Sequence, residues 1–375
     1  MKRIFKYLWI SLCLIFCSGC WDQYLMKDVS LVTVLGFDLT EEGKSIATVT
    51  IPRIPTSIVG IGRPTVQTAS AEGNSPRECR LKIDSEISGK SDRAKLRVLI
   101  LGESTAKQDI YPNMDVIYRD SRSALDARLI IVKGKAKEFI QRVHVKDETL
   151  SEYLSRELKN AEDNNILPIE TIHTIRSKLF DSGQDFMIPY VKADSGGKRA
   201  KVEGLAMFHN QAYAGKSLNI EQSILYLLMA NEKKKSAYFT ERISNSFEQK
   251  IKNFITVSVT KANRNLVIIE KRNHLIHVHL NLDLYVEVVE NVEDRLHSKE
   301  HVKKLNKSLS TNLTQKAKFI TQKMQEANCD GFGIGRRLMA LHPRTWDKLN
   351  WKEDYKKVVF IPKVKVKIIN HGITN

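Results

Sequence analysis

The chain has 375 residues, and 60 Lys and Arg against 43 Asp and Glu give it a formal net charge of +17. Apolar residues make up 42% and charged residues 27%, an ordinary globular composition that excludes wholesale disorder and a multi-span membrane protein. At about 100–200 residues per domain, the length predicts two or three domains, each with its own core.

The first 19 residues predict a lipoprotein signal peptide. They open on three positively charged side chains, Lys2, Arg3 and Lys6. The apolar stretch 7–16 has the length of a signal-peptide core and is shorter than the roughly 20 residues that span a bilayer. It leads to Cys17-Ser18-Gly19-Cys20, where small residues precede a cysteine as in the bacterial lipobox. Cys20 is therefore the predicted lipid acceptor, and the alternative is an ordinary signal peptide with Cys20 as a bystander.

The remaining cysteines do not indicate a disulfide framework. If Cys20 carries lipid, only Cys79 and Cys329 could pair, and cysteines so far apart in sequence are more often buried free thiols. The sequence leaves their pairing open.

Lysines are scattered over the whole chain and aromatic residues make up only 7%, so an anionic membrane surface is a better partner than nucleic acid.

Residues 20–195 predict an N-terminal domain in which strands and helices mix without strict alternation. A hairpin of strands 29–38 and 45–51 precedes a loop at 53–76 that is rich in Gly, Pro, Ser and Thr. The elements that follow are helix 75–87, strand 96–102, a helical segment within 105–126, strand 128–133, helices 134–143, 148–161 and 168–180, and strand 186–191.

A small middle domain is predicted at 196–250, after the polar, glycine-rich linker 194–198. It contains strands at 201–208 and 212–217 and a helix at 219–230. The fold class is therefore α+β, with three consecutive domains that each combine a mixed or antiparallel sheet with packed helices.

The C-terminal domain, 251–375, opens with strands near 252–260 and 265–271 and a long alternating strand at 274–289. The clearest helix follows at 298–327, where apolar residues recur on one face and lysines cover the rest. It is predicted to cover a core, and the alternative is a helix that lies along lipid headgroups. Alternating Val, Ile and Lys residues at 363–368 predict a last, half-exposed strand.

No motif in the sequence predicts catalysis or a cofactor. The Gly215-Lys216-Ser217 segment lacks the leading glycine of a phosphate-binding loop, since position 210 is Asn. His274, His277 and His279 are the candidate metal ligands, and His277, His279 and Asp283 share one strand face. That face is polar throughout, so histidines exposed to water explain the pattern without a metal. The chain is predicted not to be an enzyme and to hold no metal.

A series of short segments keeps the order and spacing of one known family along nearly the whole mature chain. They are Cys20-Trp21-Asp22, Val34-Leu35-Gly36-Phe37-Asp38, Tyr118-Arg119-Asp120, Lys133-Gly134-Lys135-Ala136, Gly204-Leu205-Ala206-Met207-Phe208, Asp330-Gly331-Phe332-Gly333, Pro343, Trp346, Trp351 and the last strand up to Gly372. These segments resemble the Ger(x)C family of spore germination lipoproteins, the C subunits of nutrient germinant receptors.

The resemblance implies a lipoprotein without catalytic activity, on the outer face of the spore inner membrane. It implies two partners, the integral-membrane A and B subunits of the receptor, and a role in the assembly or signalling that starts germination. Germinant sensing rests on this likeness alone, because a fold does not fix a function. The runner-up is a solute-binding lipoprotein of a transporter, which would need two doubly wound lobes.

Overall fold

A computed structural model describes residues 29–53, 65–271, 275–292 and 296–370. Its strands are β1 (Val29–Leu31), β2 (Val34–Leu39), β3 (Ser45–Arg53), β4 (Thr65–Gly73), β5 (Lys90–Asp92), β6 (Val98–Gly102), β7 (Arg128–Val132), β8 (Met187–Ala193), β9 (Ala200–His209), β10 (Ala212–Asn219), β11 (Tyr238–Arg242), β12 (Phe254–Glu270), β13 (Ile276–Asn291) and β14 (Val359–Asn370). The helices are α1 (Pro76–Glu86), α2 (Glu103–Ala106), α3 (Tyr111–Tyr118), α4 (Ala136–Arg142), α5 (Leu150–Asp163), α6 (Ile172–Leu179), α7 (Ile220–Met229), α8 (Lys299–Glu326), α9 (Ile334–Leu341), α10 (Pro343–Trp346) and α11 (Trp351–Asp354).

The largest sheet has eight strands in the order β10-β9-β8-β7-β6-β2-β3-β4, and β1 and β5 form a small parallel pair. Its central strands β2, β6, β7 and β8 are parallel, whereas both ends are antiparallel. The second large sheet has the order β11-β12-β13-β14, with an antiparallel β12–β13 ribbon and a parallel β14. The predicted α+β class with mixed sheets is confirmed.

The eight-stranded sheet continues across the domain boundary that we predict at residues 195 and 196. Residues 194–199 connect β8 to β9, and these two strands form one antiparallel ladder. Two strands of the predicted middle segment therefore extend the first sheet, since β9 pairs with β8 and β10 pairs with β9. Its last strand, β11, pairs with β12 in the second sheet.

Both faces of the large sheet are buried, which explains the nearly continuous apolar runs of β6 and β7. Successive side chains of a strand point to opposite faces, so each strand needs apolar residues at every position when both faces are covered. Cys79 of α1, Met114 of α3 and Ile175 of α6 pack over one face. Phe139 of α4 and Leu154 of α5 pack over the other.

Helix α7 joins the two large sheets in one core. All of its residues from Ser223 to Met229 are buried, as expected for a helix with apolar residues on every side. Its side chains belong to a single hydrophobic cluster that includes Ile130 of β7, Leu282 of β13 and Leu313 of α8.

Helix α8 covers the inner face of the second sheet. The prediction that residues 298–327 form a helix over a core is confirmed. Its buried side chains are Leu305, Leu309, Leu313, Ala317, Ile320, Thr321 and Met324. In the parts of the chain that the structure describes, none of the helices combines the length and the apolar character of a membrane span.

Two predictions were wrong about strands. Within the predicted loop 53–76, residues 65–73 form β4, which pairs with β3 along nine residues. The predicted strands 252–260 and 265–271 are one strand, β12, in which a register shift between Val259 and Lys261 keeps the ladder running past a polar stretch. Such a bulge adds one residue to the strand without ending it. The polar residues around it therefore look in the sequence like a turn between two strands.

The free edge of β14 is closed by side chains from α8. Three residues spaced four apart on the helix accept the backbone N–H groups of Val364, Val366 and Ile368 at 2.9–3.0 Å. They are Thr314, Ser310 and Asn306. An exposed strand edge invites pairing with another chain, and these side chains occupy the donors that would do so.

We expect Thr314→Val to lower the free energy of unfolding by about 1–3 kcal/mol, because Val364 would lose both partners of its N–H and C=O groups. The matched control is Thr311→Val, since the Thr311 hydroxyl is exposed and donates only to the Lys307 carbonyl. Urea unfolding followed by circular dichroism measures both. Equal losses in the two variants would contradict the role assigned to the edge.

Candidate functional site

The segment between α8 and α9 holds the motif with the strongest family resemblance, and it forms a buried junction. After α8 the backbone turns through two left-handed residues, Asn328 at φ +53° and Gly333 at φ +65°. This turn directs Asp330, which is 1% exposed, toward the start of α9. Its Oδ1 accepts the Ile334 N–H at 2.9 Å and its Oδ2 accepts the Gly335 N–H at 2.8 Å.

Trp351 completes the set of donors to this carboxylate. Its indole Nε1–H donates to Asp330 Oδ2 at 3.0 Å, and its ring lies 5.9 Å from that of Trp346. A Cβ atom added to Gly335 would lie 2.4 Å from Trp351 Nε1, so only glycine allows the ring to approach. Trp351 therefore serves as a hydrogen-bond donor to Asp330, while Trp346 packs against its ring and Gly335 leaves room for it.

The same aspartate ties this junction to the eight-stranded sheet. Asp330 N–H donates to Asp185 Oδ2 at 2.9 Å, and Asp185 N–H donates back to the Asp330 carbonyl at 3.0 Å. Asp185 precedes β8, and its Oδ1 accepts the Asn210 N–H beyond β9 at 2.7 Å. A further bond joins Arg336 N–H to the Gly183 carbonyl at 2.7 Å. The junction thus fixes the C-terminal helices against one end of the first sheet.

Helix α7 forms the third side of the junction. The Tyr226 hydroxyl donates to the Gly331 carbonyl at 2.9 Å, and a Cβ atom at Gly331 would lie 2.7 Å from that oxygen. The Phe332 ring packs between those of Tyr226 and Phe360 of β14 in tilted arrangements, with ring centroids 5.3 and 6.3 Å apart. The motif therefore touches both large sheets and the helix that joins them.

Burial dominates the electrostatics of the junction. It raises the pKa of Asp330 to about 7, although the hydrogen bonds from Gly335, Ile334 and Trp351 favour the charged form. Burial also raises the pKa of the Cys329 thiol well above its ordinary value, so this cysteine is not an activated nucleophile. The groups that could do chemistry here are enclosed and engaged with the protein itself.

A second family segment forms a similar joint in the first domain. At the end of β2, the Asp38 carboxylate accepts the N–H groups of Ala136 and Lys137 at 2.7 and 2.8 Å, 98 residues further along the chain. It thereby caps α4, and burial raises its pKa while these two bonds oppose the shift. A Cβ atom at Gly36 would lie 2.6 Å from Ile140 of α4, so the glycine allows close packing.

A third joint involves the segment Tyr118-Arg119-Asp120. Asp120 Oδ2 accepts Arg80 Nη1–H at 2.8 Å and Arg93 Nη2–H at 3.1 Å. Burial opposes its charge, but hydrogen bonds from the Arg122 backbone and from Arg80, with the charge of Arg93, bring its pKa to about 2. Asp120 therefore links Arg80 of α1 to Arg93, which follows β5.

Two family models cover nearly the whole chain. The model for the spore germination protein N-terminal domain matches residues 22–193, and the model for the spore germination B3/GerAC-like C-terminal domain matches residues 203–372. The chain belongs to the Ger(x)C family of spore germination proteins. The three aspartate joints lie on segments that carry the family likeness, within these matched regions.

Individual relatives span the same length. Spore germination protein GerQC of Bacillus cereus is 23% identical over 375 residues, which cover 100% of both chains. Spore germination protein KC of Bacillus subtilis is 20% identical over 367 residues and covers 90% of this chain and 88% of its own. The crystal structure of the GerBC protein superposes with a TM-score of 0.55 and 17% identity, covering 90% of this chain and 97% of that one.

The predicted site residues fall in different places. Cys20, the signal peptide and His274 lie outside the described residues, so the lipidation site stays a prediction. His277, His279 and Asp283 lie along the outer face of β13, and in the described ranges no three or more His, Cys, Asp or Glu side chains are grouped as metal ligands. Cys79 and Cys329 are buried free thiols in separate cores, which answers the open question of their pairing.

Sequence reasoning missed the partners in these joints. Asp185 stands 145 residues before Asp330, and Arg80 stands 40 residues before Asp120. Neither partner belongs to a motif, and no spacing rule connects them. The family likeness marked only Asp120 and Asp330 in their joints, whereas in the Asp38 joint it marked both Asp38 and its partner Ala136.

We expect Trp351→Phe to lower the free energy of unfolding by about 1.5–3 kcal/mol at pH 8, because the Asp330 carboxylate loses a charge-assisted hydrogen bond. Trp346→Phe is the control, since its ring packs on Trp351 and the same ring atoms are removed without taking a donor from Asp330. Guanidinium unfolding measures both variants. A control loss as large as that of Trp351→Phe would assign the effect to packing alone.

The raised pKa of Asp330 predicts a pH dependence of stability. Its folded pKa is about 7 and its unfolded pKa about 3.9, so between these values the folded chain binds a proton that the unfolded chain has released. The free energy of unfolding should therefore fall as pH rises through this window, by up to about 1.4 kcal/mol per pH unit, and stay level above pH 7.

Urea unfolding at pH 5, 6, 7 and 8 tests this slope in the wild type and in Asp330→Asn. The difference between the two curves isolates Asp330, because the other titrating groups are shared. The exposed Asp347→Asn serves as a control that should keep the wild-type slope. A difference curve that is flat or rises from pH 5 to pH 7 would contradict the prediction.

Proposed function

We propose that this chain is a lipid-anchored, non-catalytic subunit of a spore nutrient germinant receptor. Its family membership and its relatives GerQC and KC, both named as spore germination proteins, support a role in germination. The positive start, the short apolar stretch and the small residues before Cys20 support the lipid anchor. Its work would be the assembly of the receptor or the transmission of its response.

One observation carries the non-catalytic part of the proposal. Within the described residues, the carboxylates of the family segments are Asp38, Asp120 and Asp330, and each binds backbone N–H groups, arginine or tryptophan of the protein itself. A catalytic carboxylate needs contact with a substrate, whereas these three hold distant parts of the chain together. Carboxylates engaged in this way stabilise the shape of the protein, which suits a subunit that acts through its surface.

The partners that the family likeness implies are the integral-membrane A and B subunits of the receptor. We place the chain with them on the outer face of the spore inner membrane, held by diacylglycerol on Cys20. The transporter alternative is not favoured. Solute-binding proteins of that class have two doubly wound lobes, whereas here one hydrophobic cluster passes through α7 from the mixed sheet to the four-stranded sheet.

The anchor is tested by Cys20→Ala in a sporulating host. We expect the wild type to fractionate with membranes and to carry a diacylglycerol-sized mass increment, and the variant to lose both. Cys13→Ala is the matched control, because it removes a cysteine of the same leader without touching the acceptor. An unmodified wild type in the soluble fraction would overturn the lipoprotein assignment.

A further inference from the structure

A basic groove lies where the parallel strands β7 and β8 end. It has a volume of about 550 Å³, within the range of ordinary ligand sites. The residues that line it are Lys133, Arg142, His144, Lys192, Ala193, Asp194, Ser195, Gly196, Gly197 and Lys198. Ligands of sheets with parallel strands commonly bind outside the carboxyl ends of those strands.

Backbone hydrogen bonds fix the walls of this groove. Lys133 N–H donates to the Val191 carbonyl at 2.9 Å, which joins the loop after β7 to β8. His144 N–H donates to the Lys198 carbonyl at 3.1 Å, which joins the end of α4 to the glycine-rich turn. The groove is therefore held in shape before any ligand arrives, which reduces the ordering cost of binding.

Three of the four Lys and Arg side chains that line the groove have no ion-pair partner among the described residues. Among the described contacts, Lys133, Arg142 and Lys198 have no carboxylate within 4.0 Å, and they are exposed. Lys192 pairs with Glu203 at 3.0 Å. The one carboxylate in the lining, Asp194, accepts the backbone N–H groups that shape its own turn, from Lys198 at 2.8 Å and Arg199 at 3.2 Å.

We propose that this groove binds the phosphate group of an anionic lipid headgroup. Lysine binds phosphate as a point charge, and arginine binds it through two parallel N–H donors. The groove has side chains of both kinds, and it is open to solvent. Each basic side chain near an anionic membrane contributes about tenfold or less to binding, so several are needed. The proposal rests on the membrane attachment proposed above and names the surface that faces the lipid.

The test uses the mature chain from residue 20 with Cys20→Ala, so that the lipid anchor plays no part. Binding to vesicles of phosphatidylcholine with 30% phosphatidylglycerol, at about 50 mM salt, is measured by co-sedimentation. The groove variant is Lys133→Gln/Arg142→Gln/Lys198→Gln. The control is Lys363→Gln/Lys365→Gln/Lys367→Gln, which removes the same charge from exposed positions on β14.

We expect the parent chain to bind the anionic vesicles and not pure phosphatidylcholine. The groove variant should bind at least about tenfold more weakly, and the β14 variant within about threefold of the parent. Equal weakening in both variants would overturn the proposal, since net charge alone would then explain binding. Binding of soluble glycerol phosphate without vesicle binding would overturn the lipid assignment. Failure of the anchor itself appears separately, in the mass of the Cys20 protein.

Discussion

The reciprocal contact between Asp330 and Asp185 is the constraint on which the arrangement of the two large sheets depends. It joins the turn after α8 to the start of β8 through two backbone donors at 2.9 and 3.0 Å. Once these atoms meet, Phe332 is held against α7, and α9 begins beside Gly183. A buried carboxylate without such partners would be strongly unfavourable, so the folded state tolerates Asp330 only in this arrangement.

The same physical solution recurs at Asp38 and Asp120, which explains why the family likeness lies in short, separated segments. Their partners stand 27 to 99 residues away in the sequence. At the Asp38 joint, Gly36 lies where the two segments approach closely. Substitution at either side leaves a buried donor or acceptor without a partner, at a cost of about 1–3 kcal/mol.

Sequence patterns predicted the longer helices up to α8 because their signals are local, but they did not predict α9, α10 and α11. Apolar positions of α8 recur within each turn, and Asp330 was marked by likeness before its contacts were known. The failures concern long-range pairing. Strand β4 is an edge strand of Thr, Ser and Ala that becomes a strand only through β3, and Thr314 meets Val364 across 50 residues. Nothing in the local sequence of either partner reports the other.

The continuity of the core bears on how a subunit of this kind acts. Close-packed interiors transmit displacement, because side chains have no free volume in which to absorb it. Here a single cluster extends from β7 through α7 to α8, and the Asp330 junction closes the same path with hydrogen bonds. A displacement of either large sheet would therefore be shared with the other through α7, unlike the movement of two lobes that close on a solute about a hinge.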